Sequence, residues 1–195
     1  GGYRNIEFVE NRGQWDGPFS YKAITTGADI YLAERTFTYV IGDPANAARL
    51  EACKNGLQPG PAILNFHAYR MHFEGASIPR ITGSKQQQHY YNYFLGNDPR
   101  RWQSGIHPFL VLDYQAIYPG IDLHLASEEG RLKYDFIVNP GADPSTIRLR
   151  FEGIEGLSVR SGKLQISTSV GTVTEHAPYA YQHIDGEKRE VVCRY

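Results

Sequence analysis

The sequence lacks most of the features that would assign a function directly. It contains two cysteines and one methionine, and no apolar run approaches the ~20 residues that a membrane helix needs. Twenty Lys and Arg against 21 Asp and Glu leave a formal net charge of -1, without the basic surface that nucleic acids and anionic membranes select. We therefore expect no nucleic-acid partner and no membrane span.

Motifs for catalysis and cofactor binding are also missing. There is no G-x-S-x-G elbow for a nucleophilic serine, and no P-loop or G-x-G-x-x-G to hold phosphates. The histidines lack zinc-type spacing, and His67 and His72, five apart on a predicted strand, should point to opposite faces. The sequence thus predicts no catalytic residue, no metal site and no cofactor.

Aromatic and turn-forming residues, in contrast, are abundant. Fourteen Tyr, nine Phe, 20 Gly and 11 Pro form the composition of an all-β domain. Apolar and charged residues alternate in Leu132–Val138 and again in Ile147–Phe151, which places one set on each face of a sheet. We predict an all-β fold, an antiparallel β-sandwich with at most one short helix.

One segment interrupts the strand pattern. Residues 43–61 form an irregular excursion in which Pro44–Cys53 favours a short helix and residues 55–61 a loop. Otherwise the chain reads as a single β-rich domain over residues 1–195. Because the sequence stops at Tyr195 inside a strand pattern, we expect the native chain to continue.

Two heptapeptides echo each other at a separation of 78 residues. Residues 69–75 (YRMHFEG) and 147–153 (IRLRFEG) both read apolar, charged, apolar, charged, Phe, Glu, Gly. A duplicated unit with two sheets or lobes would explain the echo, and so would convergent strand patterning.

The two cysteines, Cys53 and Cys193, also leave two interpretations open. They would form one disulfide in an oxidising compartment, or else remain as two unpaired, partly buried thiols.

Two tryptophan-containing loops are the best candidates for a binding site. A tryptophan flanked by amides and charges can stack on a sugar ring and hydrogen-bond its hydroxyl groups; alternatively, each ring closes the edge of the core with its N–H bonded to a carbonyl. The candidate ligand-binding residues are Trp15, Asn11, Gln14, Asn97, Asp98 and Trp102.

Carboxylates offer a second hypothesis, a glycan-active hydrolase that uses an acid/base pair. Asp98, like Asp143, precedes a proline, where an aspartate commonly satisfies backbone groups in a turn. The candidate carboxylates are Glu7, Glu10, Asp98, Asp122 and Asp135.

Six motifs in this order resemble a known bacterial domain. They are FVENRGQWDG (8–17), HAYRMHFEGA (67–76), NYFLGNDPRRW (92–102), YPGIDLHL (118–125), GRLKYDFIVNPGADPSTIRLRFEG (130–153) and APYAYQHIDGEKREV (177–191). The chain resembles the uncharacterised N-terminal domain of large secreted proteins of the Bacteroidota type. That domain often precedes SBBP β-propeller repeats, immunoglobulin-like or PKD modules, and gliding-motility-type C-terminal sorting domains.

The resemblance implies a secreted or cell-surface location and no particular activity. We expect a non-catalytic module for adhesion, glycan contact or inter-module assembly, with the hydrolase as the alternative. A third interpretation is a purely structural cap at the start of a long chain. We expect a monomer whose partners are neighbouring domains of the same chain and a glycan or surface protein.

Overall fold

The computed structural model describes residues 4–57 and 60–195, so Gln58 and Pro59 of the predicted excursion lie outside the described residues. Contacts divide the chain into two compact units. The first runs to Ile41 and resumes over Ala68–Glu152, and the second comprises Gly42–His67 and Gly153–Tyr195. The single domain over 1–195 stays a prediction.

The first unit contains twelve strands. Strand β4 ends in residues of the second unit, and strand β5 begins there. Their bounds are β1 Glu7–Glu10, β2 Tyr21–Ile24, β3 Ala28–Leu32, β4 Thr36–Gly42, β5 Phe66–Phe73, β6 Arg80–Gln86, β7 Tyr91–Tyr93, β8 Gln103–Ile106, β9 Phe109–Tyr118, β10 Ile121–Glu128, β11 Arg131–Val138 and β12 Leu149–Glu152. Ten of them form one sheet in the order β11-β10-β9-β1-β2-β3-β4-β5-β12, with β6 also paired to β9. Strands β7 and β8 form a separate pair.

The large sheet curls over a filled apolar interior. Phe37 of β4 meets Tyr114 of β9 at 5.8 Å between ring centroids, and Phe73 of β5 meets Phe136 of β11 at 6.1 Å. These strands are far apart in the sheet order, so their rings meet only because the sheet bends round. Edge-to-face packing of this kind adds to the stabilisation from apolar burial.

Two tyrosines place a polar group inside this core, and both are hydrogen-bonded. The Tyr114 hydroxyl donates to Ala33 O at 3.0 Å, and burial raises the pKa of that phenol. The Tyr118 hydroxyl lies 3.2 Å from Glu74 O and 3.1 Å from Arg148 O. Bonding both hydroxyls removes the penalty of burying them unpaired.

The second unit contains the helix and five strands. Their bounds are α1 Asn46–Lys54, β13 Gly156–Arg160, β14 Lys163–Thr168, β15 Gly171–Glu175, β16 Ala180–Ile184 and β17 Glu187–Val191. Strands β13, β14 and β15 form an antiparallel sheet, and β16 pairs with β17. The β16–β17 turn, Asp185-Gly186, has φ values of 53° and 81°, which is the left-handed conformation that Asp-Gly favours in tight hairpins.

The predicted all-β fold with a single short helix is confirmed, and its antiparallel sheets are curled. The helix covers Asn46–Lys54 where Pro44–Cys53 was expected. Strand β6 was not predicted, because its polar residues over 84–86 pair with β9 while staying exposed to solvent.

The echoed heptapeptides do not form separate sheets or lobes, which corrects that form of the duplication hypothesis. They pair with each other as β5 and β12, with Phe73 opposite Leu149 and Met71 opposite Phe151. Both strands turn apolar side chains toward the core and charged ones to the other face; those of β5 are buried, and Leu149 and Phe151 of β12 are partly buried. Each heptapeptide ends at a glycine with positive φ, Gly75 in one and Gly153 in the other. The echoed residues thus occupy matching positions in two paired strands of one sheet.

Candidate functional site

An open groove lies on the outer face of the first unit. Its volume is about 770 Å³, and it is broadly open to solvent. Its lining residues come from the loop before β2, the β3–β4 hairpin and the middle of β5: Gly17, Pro18, Phe19, Ser20, Tyr31, Ala33, Glu34, Arg35, Thr36, Thr38, Arg70 and His72.

Strand alternation explains why these side chains face outward. In β4, Phe37 is fully buried, which turns Thr36 and Thr38 to the opposite face. In β5, Met71 and Phe73 are buried, which turns Arg70 and His72 outward in the same way. The groove floor is therefore the solvent-facing set of a sheet whose other face is core.

One wall of the groove comes from the first tryptophan loop. Phe19 packs edge-to-face on Tyr31, with ring centroids 4.9 Å apart, and Trp15 lies behind Phe19 at 6.2 Å. Trp15 also contacts Tyr93 at 4.8 Å, and Lys22 Nζ lies 5.4 Å from the Trp15 ring and 5.2 Å from the Tyr31 ring. Trp15 thus supports the wall and is not itself in the lining.

Asn11 and Gln14, predicted as ligand-binding residues, hold this loop in place. Asn11 Nδ2 donates to the carbonyls of Trp15 and Phe19, both at 3.2 Å. Gln14 is fully buried; its Nε2 donates to Glu10 O at 2.6 Å, and its Oε1 accepts from Arg12 N at 2.7 Å. Both amides are therefore engaged with backbone and position the wall.

The second tryptophan loop lies beside the first. Asp16 and Arg101 form an ion pair at 2.9 Å, which joins the two loops. Trp102 is 44% exposed, its ring meets Phe94 at 5.8 Å, and its indole N–H donates to Gly96 O at 3.2 Å. The Trp102 N–H is therefore bonded to a backbone carbonyl, as in the alternative to sugar stacking that the sequence left open.

Asn97 and Asp98 do not line the groove. Asn97 is exposed, and Asp98 caps the short 3₁₀ turn Pro99–Arg101 by accepting from Arg100 N at 3.1 Å. The same Arg100 pairs with both oxygens of Asp98, and these hydrogen bonds lower the pKa of that carboxyl. The carboxylate therefore stabilises the turn, as expected of an aspartate before proline.

A hydroxyl, an imidazole and a carboxylate form a hydrogen-bonded chain at the groove floor. Thr36 Oγ1 lies 3.0 Å from His72 Nδ1, and His72 Nε2 lies 2.7 Å from Glu152 Oε2. This contact lowers the pKa of the Glu152 carboxyl. Because an ionised carboxylate only accepts, it keeps a proton on Nε2; in the neutral ring, Nδ1 then accepts from the Thr36 hydroxyl.

The candidate carboxylates each have partners of their own. Glu7 accepts from the Tyr91 hydroxyl and pairs with His89 at 3.0 Å, while Glu10 pairs with Arg12 at 2.8 Å. The others are held elsewhere: Asp122 accepts from Ala116 N at 2.7 Å, and Asp135 lies 3.6 Å from Lys133.

The remaining predictions concern thiols, metals and membranes. Cys53 and Cys193 are both free, and the disulfide stays a prediction. Across residues 4–57 and 60–195, no group of three His, Cys, Asp or Glu side chains is arranged to hold a metal ion. In the same residues, no helix combines the length and the apolar character needed to cross a bilayer.

Sequence reasoning missed the groove lining itself. Phe19 lies two residues beyond the first motif (8–17), and Tyr31, Thr36, Arg70 and His72 are outward-facing strand positions. Alternation could have assigned each side chain to the outer face. It could not have brought β3, β4 and β5 side by side, because that depends on strand order.

The fold and groove define an all-β domain with an open, polar site beside an aromatic wall. The chain belongs to the DUF7948 family of domains of unknown function, whose model matches residues 8–195. No curated protein and no solved structure matches the chain.

Proposed function

We propose that this domain is a non-catalytic saccharide-binding module of a secreted or cell-surface bacterial protein. The observation that carries the proposal is the groove, where an aromatic wall stands over a floor of hydroxyl, guanidinium and imidazole groups. Sugars present apolar C–H faces and polar edges, so a site for them needs both kinds of surface.

The arrangement of the wall supports stacking. Phe19 and Tyr31 are held edge-to-face and supported by Trp15 and Lys22, so their orientation is fixed before a ligand arrives. A pre-ordered aromatic surface avoids part of the entropic cost of binding. Ser20, Thr36 and Thr38 add hydroxyl groups that can both donate and accept.

The carboxylates favour binding over glycoside hydrolysis. Glycosidases of the usual kind place two carboxyl groups on either side of one bond. Here Glu7, Glu10 and Asp122 each bond to a different partner, and none of the three lines the groove. The motif resemblance supports the rest of the proposal, a secreted or cell-surface protein of the Bacteroidota type whose neighbouring modules are the assembly partners.

A glycan-array screen of the domain tests this proposal. We expect binding by the wild type, and at least a tenfold loss in Tyr31→Ala, about 1.4 kcal/mol. Tyr90→Ala is the matched control, because Tyr90 is exposed and outside the groove lining. Binding that survives Tyr31→Ala, or no binding to any saccharide, would contradict the proposal.

One observation favours a second candidate function, ester hydrolysis. A hydroxyl bonded to an imidazole that is oriented by a carboxylate is the arrangement that activates a nucleophile. Thr36 Oγ would attack an ester carbonyl while its proton passes to His72 Nδ1, and that proton would leave with the alcohol. Water would then release the acyl group from Thr36.

Paired threonine variants separate this candidate from simple binding. Thr36 and Thr38 both line the groove from β4, but the bond to His72 Nδ1 comes from Thr36. Hydrolysis of acetylated saccharides that is lost in Thr36→Val and kept in Thr38→Val would support the second candidate. Equal turnover in both variants, or none in the wild type, would reject it.

A further inference from the structure

We infer that the groove selects saccharides carrying carboxylate groups, the uronic acids, and binds those groups through Arg35 and Arg70. This inference rests on the proposed function and adds the class of ligand to it.

The two guanidinium groups of the groove point to an anionic ligand. Its lining contains two guanidinium groups, Arg35 and Arg70, and one carboxylate, Glu34. Glu152 lies outside the lining but accepts from His72 at 2.7 Å and lies 3.8 Å from Arg70, so it offsets one of these positive charges. The case for an anionic ligand therefore depends on the two guanidinium groups and on how freely each can donate.

Arg35 is available to a ligand. It lies at the exposed β3–β4 hairpin, and among the contacts of the described residues its side chain forms no ion pair. A guanidinium group presents a planar fork of N–H donors that matches the two oxygens of a carboxylate. An unpaired guanidinium group beside an aromatic wall is suited to a sugar acid, whose C–H face can pack on the aromatic rings while its planar carboxylate meets the guanidinium.

Arg70 is only weakly engaged within the protein. Its Nη1 lies 3.8 Å from Glu152 Oε1, beyond hydrogen-bond distance, and its side chain is 56% exposed. Glu152 accepts from His72 at 2.7 Å and lies 3.8 Å from Arg150, so its charge is shared among three groups. Arg70 therefore keeps donors free toward the groove.

The hydrogen-bonded chain at the floor keeps the site ordered. Thr36 and Glu152 hold His72 from β4 and β12, and Arg70 lies two residues away on the same face of β5. The imidazole is therefore fixed before a ligand arrives, which limits the side-chain freedom lost at the floor on binding.

Oligogalacturonate and its fully methyl-esterified form test the inference, since they share the sugar and differ in charge. By isothermal titration calorimetry we expect the acid to bind at least tenfold more tightly than the ester. We expect Arg35→Gln and Arg70→Gln each to remove about tenfold of that affinity, with no change for Arg80→Gln. Arg80 is an exposed arginine outside the groove.

Removing the opposing charge gives an independent readout. Glu34→Gln should strengthen binding of the acid and leave the ester unchanged, because Glu34 is the one carboxylate in the groove lining. A rising salt concentration should weaken binding of the acid and leave binding of the ester unchanged.

The outcomes separate this inference from the proposed function. Equal binding of acid and ester, with Arg35→Gln unaffected, overturns the inference and leaves saccharide binding intact. Tight binding of dextran sulfate with no binding of the uronate overturns the choice of carboxylate. Binding of no saccharide at all overturns the proposed function, and the inference with it.

Discussion

The two units bury apolar residues to very different extents. The first encloses a core in which Phe8, Phe37, Leu112 and Tyr114 are fully buried. Among the described residues of the second, the buried apolar side chains are Leu164 and Ile166, and α1 contributes none. Large residues such as Leu157 and Val159 remain about half exposed there.

This difference shows where a rigid site can be built. A site needs a support whose side chains do not move when a ligand binds, and close-packed cores supply that support. The groove lies on the outer face of the strands that enclose the larger core. In the second unit, much of the order must come from hairpin turns and backbone ladders, because less apolar surface is buried.

The largest expected effect comes from the core of the first unit. Phe37→Ala removes a ring that packs on Phe73 at 4.9 Å and on Tyr114 at 5.8 Å. We expect it to lower the free energy of unfolding by about 3–5 kcal/mol, measured by urea denaturation. Phe94→Ala is the control, since Phe94 is 61% exposed. Similar losses in both variants would contradict the account of this core.

A smaller effect is expected in the second unit. Ile166→Ala should cost about 2 kcal/mol, because Ile166 is fully buried on the central strand β14. Amide hydrogen exchange should report faster opening over β13–β15, while the half-exposed Val159→Ala leaves exchange nearly unchanged. If Ile166→Ala costs as much as Phe37→Ala, the two units do not differ as described.

Next in size is the loop that forms the groove wall. Gln14→Ala leaves Arg12 N–H and Glu10 C=O without their partner, at a cost of about 1–3 kcal/mol. Because Gln14 orders the start of the loop that leads to Phe19, saccharide affinity should fall as well. The exposed Gln115→Ala should change neither quantity. If the Gln14→Ala protein is destabilised but keeps its saccharide affinity, the loop does not contribute to the binding site.

The smallest expected effect is a dependence of stability on pH. Hydrogen bonds from Ser145 lower the pKa of Asp143 below 3.8, and those from His72 lower the pKa of Glu152 below 4.5. A depressed carboxyl pKa stabilises the fold above the unfolded value, and that stabilisation disappears as pH falls through the folded value. Urea midpoints should therefore drop below about pH 4.5.

Asp143→Asn and Glu152→Gln should each flatten that decline. Asp143 caps the 3₁₀ turn Pro144–Thr146, whereas Glu152 accepts a hydrogen bond from His72 of the groove lining. Midpoints that decline equally in wild type and both variants would assign the pH dependence to other carboxylates.

The sequence predicted local structure well, since local structure depends on neighbouring residues. Alternation identified strands such as β11, and the Asp185-Gly186 dipeptide identified the final hairpin. The site was harder, because Thr36, His72 and Glu152 are separated by 36 and 80 residues and meet only through strand order. Gln14 resembled a surface amide, and only its burial shows that it holds a loop.

The Tyr118 hydroxyl favours one register of β5 against β12 over near-equivalent alternatives. Strands β5 and β12 carry the same alternating pattern, so sliding one past the other by two residues would still bury apolar side chains on the correct face. Tyr118 lies within hydrogen-bond distance of both Glu74 O and Arg148 O. A slipped pairing would separate those two carbonyls, so the phenol could contact only one of them. A single hydrogen-bonding group thus favours the native register over misaligned pairings that apolar burial alone would tolerate.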